Sequence, residues 1–224
     1  MSRRVIWVLA DGPHELGSEP HRPCSKPEDL APLARLVHRI LGEPKDVEFR
    51  GRKFSRLAGR HRFNLPPAPK ADQKLVKSKY GKALLLAVYS CFLEGWHGMV
   101  VLIDRDGKPD AEKAQLLKEA RAALHVNWYR PCAVGQAVES FDAWMIADRQ
   151  AVNDAEGNSE GLPAKPERQK QPKKIAAKAF ECLQSGMGLG ECYQRVASLL
   201  NTSELEKVCP KGFKPFADDV RTHI

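Results

Sequence analysis

Gly98-Met99-Val100-Val101-Leu102-Ile103-Asp104-Arg105-Asp106-Gly107 is the stretch on which the reading of the fold turns. Its first six residues carry no charge and show no polar alternation. A strand apolar on both faces suits the middle of a parallel sheet, where helices cover both sides. The run stops abruptly in two acids and a glycine, a turn sequence. Val5-Ile6-Trp7-Val8-Leu9-Ala10 repeats the pattern near the start and also stops at an acid, in Asp11-Gly12-Pro13. Residues 46–49 and 133–138 read as two further strands.

Helical patterns fill the intervals. Pro27-Glu28-Asp29 puts a proline and two acids in a first turn. Leu30, Leu33, Leu36, Val37, Ile40 and Leu41 then follow helical spacing. Residues 71–93 and 109–124 read as helices, and 141–147 starts another. Residues 13–26 and the basic 50–69 read as loops. Strands alternating with helices predict an α/β fold: a small, mainly parallel four-stranded sheet flanked by helices. The polar stretch 150–170 reads as mobile. Beyond it, helical patterns at 173–184, 190–200 and 203–208 and an amphipathic turn around Phe213 and Phe216 predict a helical C-terminal portion. The expected organisation is an α/β domain over 1–149, a mobile basic linker over 150–172, and a helical portion over 173–224 packing on the same domain.

At 224 residues the chain can bury a sizeable core without disulfides or a structural metal. An apolar fraction of 42% argues against wholesale disorder. No apolar run approaches the roughly 20 residues a bilayer span needs. Six cysteines stand apart, with no CxxC pair, so neither a zinc ribbon nor a disulfide framework is suggested and a reduced cytoplasm is the expected home. The net charge of +8 is segregated. Residues 50–82 hold eleven basic side chains and one acid, Asp72, so this window carries +10 and the rest of the chain −2. Residues 165–178 add six basic side chains and one acid, Glu167. Such segregation suits a polyanion, because basic side chains release counterions from a phosphate backbone. Arg50, Arg52, Lys53, Arg56, Arg60, Arg62, Lys173 and Lys174 are the candidate nucleic-acid contacts. A solvated basic loop and helix face is the plainer alternative.

In an open α/β sheet, ligands gather at the carboxyl ends of the strands. Here the two strongest strands deliver Asp11, with Glu15 four residues on, and Asp104 with Asp106. Carboxylates brought to one edge repel one another unless protons or cations intervene. Hard oxygen donors favour Mg²⁺ or Mn²⁺. The structural alternative is that Asp-Gly is a common turn pair and that Asp at a strand end caps the next helix. Asp142 and Asp148, six apart, could face the same edge, or each serve as a helix cap or surface residue. Trp144 reads as core, and His14 as an exposed loop residue, with a ligand or a proton shuttle as the functional alternatives.

These residues carry a family resemblance. Val8-Leu9-Ala10-Asp11-Gly12-Pro13-His14-Glu15 resembles the first Toprim motif, and Val101-Leu102-Ile103-Asp104-Arg105-Asp106-Gly107 the second. Phe141-Asp142-Ala143-Trp144-Met145-Ile146-Ala147-Asp148 is similar to a further motif of one Toprim-like subgroup. So is the ending, with Tyr193, Leu199-Leu200, and Cys209-Pro210-x-x-Phe213-x-x-Phe216. That subgroup is the domain-of-unknown-function family numbered 4276, related to the Toprim nuclease domains of overcoming-lysogenization-defect proteins. The resemblance implies a four-stranded parallel core and a Mg²⁺- or Mn²⁺-dependent nuclease. By position, Asp11, Glu15, Asp104 and Asp106 become catalytic and metal-ligating residues. It also implies a DNA or RNA substrate, with DNA ahead of RNA, an AAA-type ATPase partner, and a role in anti-phage defence. Asp11 departs from the family glutamate: the charge is kept and the side chain is one methylene shorter.

Other readings remain beside this one. A catalytically degenerate nucleic-acid-binding or regulatory partner of an ATPase would keep the charge pattern and lose the chemistry. Haloacid-dehalogenase phosphatases also place Asp-x-Asp at a strand end, but near the N-terminus and with Thr or Val two residues on, where this chain has Lys108. Glycosyltransferases use Asp-x-Asp without explaining Asp11-x-x-x-Glu15.

Overall fold

The computed structural model of the chain describes residues 3–17, 23–54, 79–105, 112–122, 131–181 and 187–224. Asp106, Arg56, Arg60 and Arg62 lie outside them. Four strands form one sheet: β1 (Arg4–Ala10), β2 (Val47–Lys53), β3 (Gly98–Asp104) and β4 (Cys132–Ala137). The order is β2-β1-β3-β4 and every pairing is parallel. The expected α/β fold with a parallel four-stranded sheet is the one observed.

The side chains alternate across the sheet as a pleated strand requires. Ile6, Val8, Ala10, Val100, Leu102 and Ala133 enter one core. Trp7, Leu9, Met99, Val101, Ile103 and Val134 enter the other. The second core is closed by α3 (Lys79–Leu93) and α4 (Glu112–Ala122), through residues such as Leu84, Val88 and Leu117. The first is closed by α1 (Pro13–Leu16), α2 (Pro32–Ile40) and a series of helices after β4. These are α5 (Asp142–Met145), α6 (Arg149–Asp154), α7 (Pro172–Phe180), α8 (Leu189–Leu199), α9 (Thr202–Val208) and α10 (Phe213–His223). Val196, Phe213, Phe216 and Val220 of the C-terminal helices share this core with Ile6 and Val8. Trp144, fully buried, stacks on Phe216 at 5.4 Å and meets Phe213 edge-on at 5.2 Å. Such side chains contribute roughly 2–3 kcal/mol each on burial.

Several boundaries differ from the sequence reading. Residues 27–29 form a short 3-10 turn, and α2 begins only at Pro32. Proline holds its predecessor extended, so Ala31 at ψ 154° interrupts the helix that Leu30 had promised. β2 runs to Lys53, in register with Ala10, so Arg50, Arg52 and Lys53 are strand residues and not loop. The turn expected around Phe213 is an eleven-residue helix.

Two buried carboxylates organise the helical layer. Over 150–172 the chain forms most of α6 and a 3-10 turn at Pro166–Arg168. Glu167 in that turn accepts from the backbone N–H groups of Lys211, Gly212 and Phe213 and from the Trp144 indole. It thereby caps α10, whose first amides lack helical partners. Asp219 of α10 accepts from Arg121 Nη1 and from the Val134 N–H, both at 2.6 Å.

Candidate functional site at the carboxyl edge of the sheet

β1 and β3 are hydrogen-bonded neighbours, with Ile6 opposite Gly98 and Leu9 opposite Val101. They run the same way, so Asp11, directly after β1, and Asp104, the last residue of β3, emerge at one edge of the sheet. Asp11 is exposed and Asp104 half-buried. Asp104 Oδ1 accepts from the Phe141 N–H at 3.1 Å, tying the end of β3 to the turn before α5. Lys53 ends β2 opposite Ala10 and brings a cation to the same edge.

Glu15 reaches this edge from α1 and is 5% exposed. Pro13 opens that helix, and the chain reverses at once after β1. The Glu15 carboxylate lies directly over Gly12. A Cβ built on Gly12 would stand 2.0 Å from Oε2 and 2.8 Å from Oε1. A side chain at Gly12 would therefore have to displace the Glu15 carboxylate.

Behind these acids lies a polar group that the sequence did not assemble. Asp142, the first residue of α5, is 8% exposed. Its Oδ1 accepts from the Tyr193 hydroxyl at 2.5 Å and its Oδ2 from the Ser140 hydroxyl at 2.8 Å. Tyr193 is fully buried on α8. Burial first, and then the Asp142 carboxylate, push its phenol well above the ordinary range, with Glu15 adding to the effect. The half-buried His14 ring meets Tyr193 edge-on at 5.6 Å. Burial, and next the Lys173 ammonium, hold its imidazole below the usual value, against an opposing pull from Asp142. The His14 imidazole thus lies within reach of the Lys173 and Asp142 charges, and the Tyr193 phenol within reach of Asp142 and Glu15. Lys173 and Lys174 are exposed at the start of α7.

Asp148 is separate from this group. Its Oδ1 caps α6 through the Ala151 N–H, and its Oδ2 accepts from Asn201 N–H. The shared edge considered for Asp142 and Asp148 gives way to an Asp142 held by Tyr193 and Ser140 and a capping Asp148. A sequence separation of 51 residues between Asp142 and Tyr193 is why the pair was not legible. The one available hint was that both stand in motifs of the same resemblance.

Among the basic candidates, Arg50 pairs with Glu48 at 2.8 Å. The Arg52 guanidinium lies over Trp7, 4.1 Å from the ring centroid, with Trp96 at 5.7 Å and Glu94 at 3.5 Å. It fastens the β2 edge to the core under α3.

The oxygen donors at the edge suit a hard divalent cation by their chemistry. Among the described residues, no three His, Cys, Asp or Glu side chains come together as a ready-made metal site. No described helix is long and apolar enough to cross a membrane. Compared with protein-family models, curated proteins and solved structures, the chain gives no match.

Proposed function

We propose that the chain is a Mg²⁺- or Mn²⁺-dependent nuclease of the Toprim type, hydrolysing phosphodiester bonds in DNA or RNA. The observation that carries this reading is the parallel pairing of β1 with β3. It brings Asp11 and Asp104 to one edge, with Glu15 held beside the same turn. Asp11, Glu15, Asp104 and Asp106 would hold the cation. When bound, it would polarise the phosphodiester, supply a nucleophile at neutral pH and stabilise the leaving oxygen. Lys53, which ends β2 at that edge, and Lys173, whose charge reaches His14, would help to orient the phosphate backbone. An AAA-type ATPase as partner, a cytoplasmic setting and a role in anti-phage defence belong to the same proposal and rest on the resemblance alone.

The test is cleavage of plasmid, linear DNA and RNA with Mg²⁺ or Mn²⁺, with Asp104→Ala and Asp106→Ala alongside the wild type. Cleavage by the wild type and its loss in both variants is the expected outcome. Full cleavage by Asp104→Ala would overturn the reading.

A second reading is a binding or regulatory subunit with a degenerate site. It is favoured by the hydrogen bond from Phe141 N–H to Asp104 Oδ1, which gives that carboxylate a structural task. It expects nucleic-acid binding by a wild type that cuts nothing with either metal.

A further inference from the structure

We infer that the groove between α2 and α8 binds a small organic molecule through a single carboxylate, with Arg35 as the cation that receives it. The inference is independent of the nuclease reading, since Asp11, Glu15 and Asp104 are not among the described residues that line this groove.

Arg35 stands on α2 between the buried Ala34 and Leu36, and its side chain is only 13% exposed. Its Nε and Nη1 are closed off from solvent and have no hydrogen-bond acceptor. The one carboxylate that pairs with it among the described residues, Glu43, keeps Oε1 3.6 Å from Nη2, beyond hydrogen-bond reach. Glu43 is half exposed and also faces Arg39 at 3.9 Å. Arg39, one turn further along, is better served, because it donates to the Ser198 carbonyl. A guanidinium carries five N–H donors, and burying it without acceptors is costly. Folded proteins seldom keep such a group unless an ion, a water or a ligand completes it. Arg35 lines a groove of about 580 Å³, a size that suits a small molecule. From α8 comes Arg195, whose exposed pairing with Glu156 at 3.3 Å is weak and can be exchanged for a ligand. Gln194 Nε2 donates to the Glu28 carbonyl and fastens α8 to the 3-10 turn at 27–29. Leu30 and Met187 supply apolar surface. Two carboxylates also line the groove: Glu191, held by the Gly188 N–H at 3.0 Å, and the exposed Glu28. Two arginines set against two glutamates disfavour a dianion, and a planar carboxylate matches a guanidinium fork.

The experiment uses the full chain, isotopically labelled for NMR, with benzoate, acetate and phenyl phosphate as probes at a constant ionic strength set by chloride. The readouts are the arginine Nε–H signals and urea unfolding. Benzoate should shift the Arg35 Nε–H signal, identified by its absence from Arg35→Met. It should also bind more tightly than acetate, which lacks the apolar part. Arg35→Met keeps an unbranched side chain in the buried place and removes the charge. It should be at least as stable as wild type without ligand, and should bind benzoate about tenfold or more weakly, as the loss of a charge-assisted hydrogen bond implies. Arg195→Gln, at an exposed position, should weaken benzoate binding without changing stability. A wild type that binds none of the probes would overturn the inference and leave Arg35 to be completed by water. Wild-type benzoate affinity in a folded Arg35→Met protein, or in Arg195→Gln, would overturn it as well. So would phenyl phosphate binding more tightly than benzoate.

Discussion

Gly12 shows how little of a site residue's meaning lies in its type alone. Asp11-Gly12 reads as a turn pair, and the sequence offers backbone freedom as the reason for the glycine. The observed φ of −89° and ψ of 152° are open to any residue. The requirement is space: a methyl group there would meet the Glu15 carboxylate at 2.0 Å. Gly12→Ala should therefore destabilise the protein by about 1–3 kcal/mol, the usual cost of forcing an extra carbon into a packed place. Adding Glu15→Ala should recover much of that loss, although Glu15→Ala alone removes a buried group. Urea unfolding of the two single variants and the double variant measures this coupling, and strict additivity would show that the two residues do not collide. Asp142 carries the same lesson. Its position in the Phe-Asp-Ala-Trp run was plain, but the hydroxyl that holds it lies 51 residues away.

Elements were legible in proportion to the apolar pattern they carry. β1 and β3 stood out because both of their faces are buried, leaving an unbroken apolar run. β2 was cut short at Phe49 because its second half, Arg50-Gly51-Arg52-Lys53, carries charges that an edge strand tolerates and a composition reading takes for loop. α10 was seen only as a turn because its first face announces itself with Phe213 and Phe216, while its later turns are anchored by a carboxylate. That carboxylate, Asp219, also protects the other edge of the sheet. It takes the outward N–H of Val134 and pairs with Arg121, which itself donates to the Cys132 carbonyl at 2.8 Å. Asp219 is 8% exposed, so its removal leaves Arg121 largely buried without its counter-ion. Asp219→Ala should cost about 3–5 kcal/mol by chemical denaturation. Replacing both partners with apolar residues, Arg121→Met with Asp219→Leu, should cost less than Asp219→Ala alone. If the single variant unfolds like wild type, α10 is held to β4 by its aromatic face alone.

At the scale of the whole molecule, charge was legible in amount and location but not in availability. The window 50–82 holds a charge of +10 in a chain of net +8. Two of its arginines have other work: Arg50 pairs with Glu48, and Arg52 rests on Trp7 beside Glu94. If the window meets nucleic acid, residues such as Arg56, Arg60 and Arg62 must supply the phosphate contacts that these two do not. The window contains few aromatics, only Phe54, Phe63 and Tyr80, and Phe54 is buried, so base stacking should contribute little. Binding should then weaken steeply with salt and be nearly indifferent to sequence. Reversing Arg56, Arg60 and Arg62 to Glu should lower affinity for every duplex tested. It should also make the slope of log K against log salt shallower by about 3, since each lost phosphate contact removes roughly 0.9. Arg52→Ala is the informative contrast. It removes a cation stacked on an aromatic ring, worth about 0.5–2 kcal/mol, and should lower stability while leaving the salt slope unchanged. Fluorescence-anisotropy titrations at several salt concentrations, paired with urea unfolding, separate the two effects. A slope that drops by about one in Arg52→Ala and stays unchanged in the triple variant would reverse the assignment. It would make the strand arginine the phosphate contact and the segment after β2 a bystander.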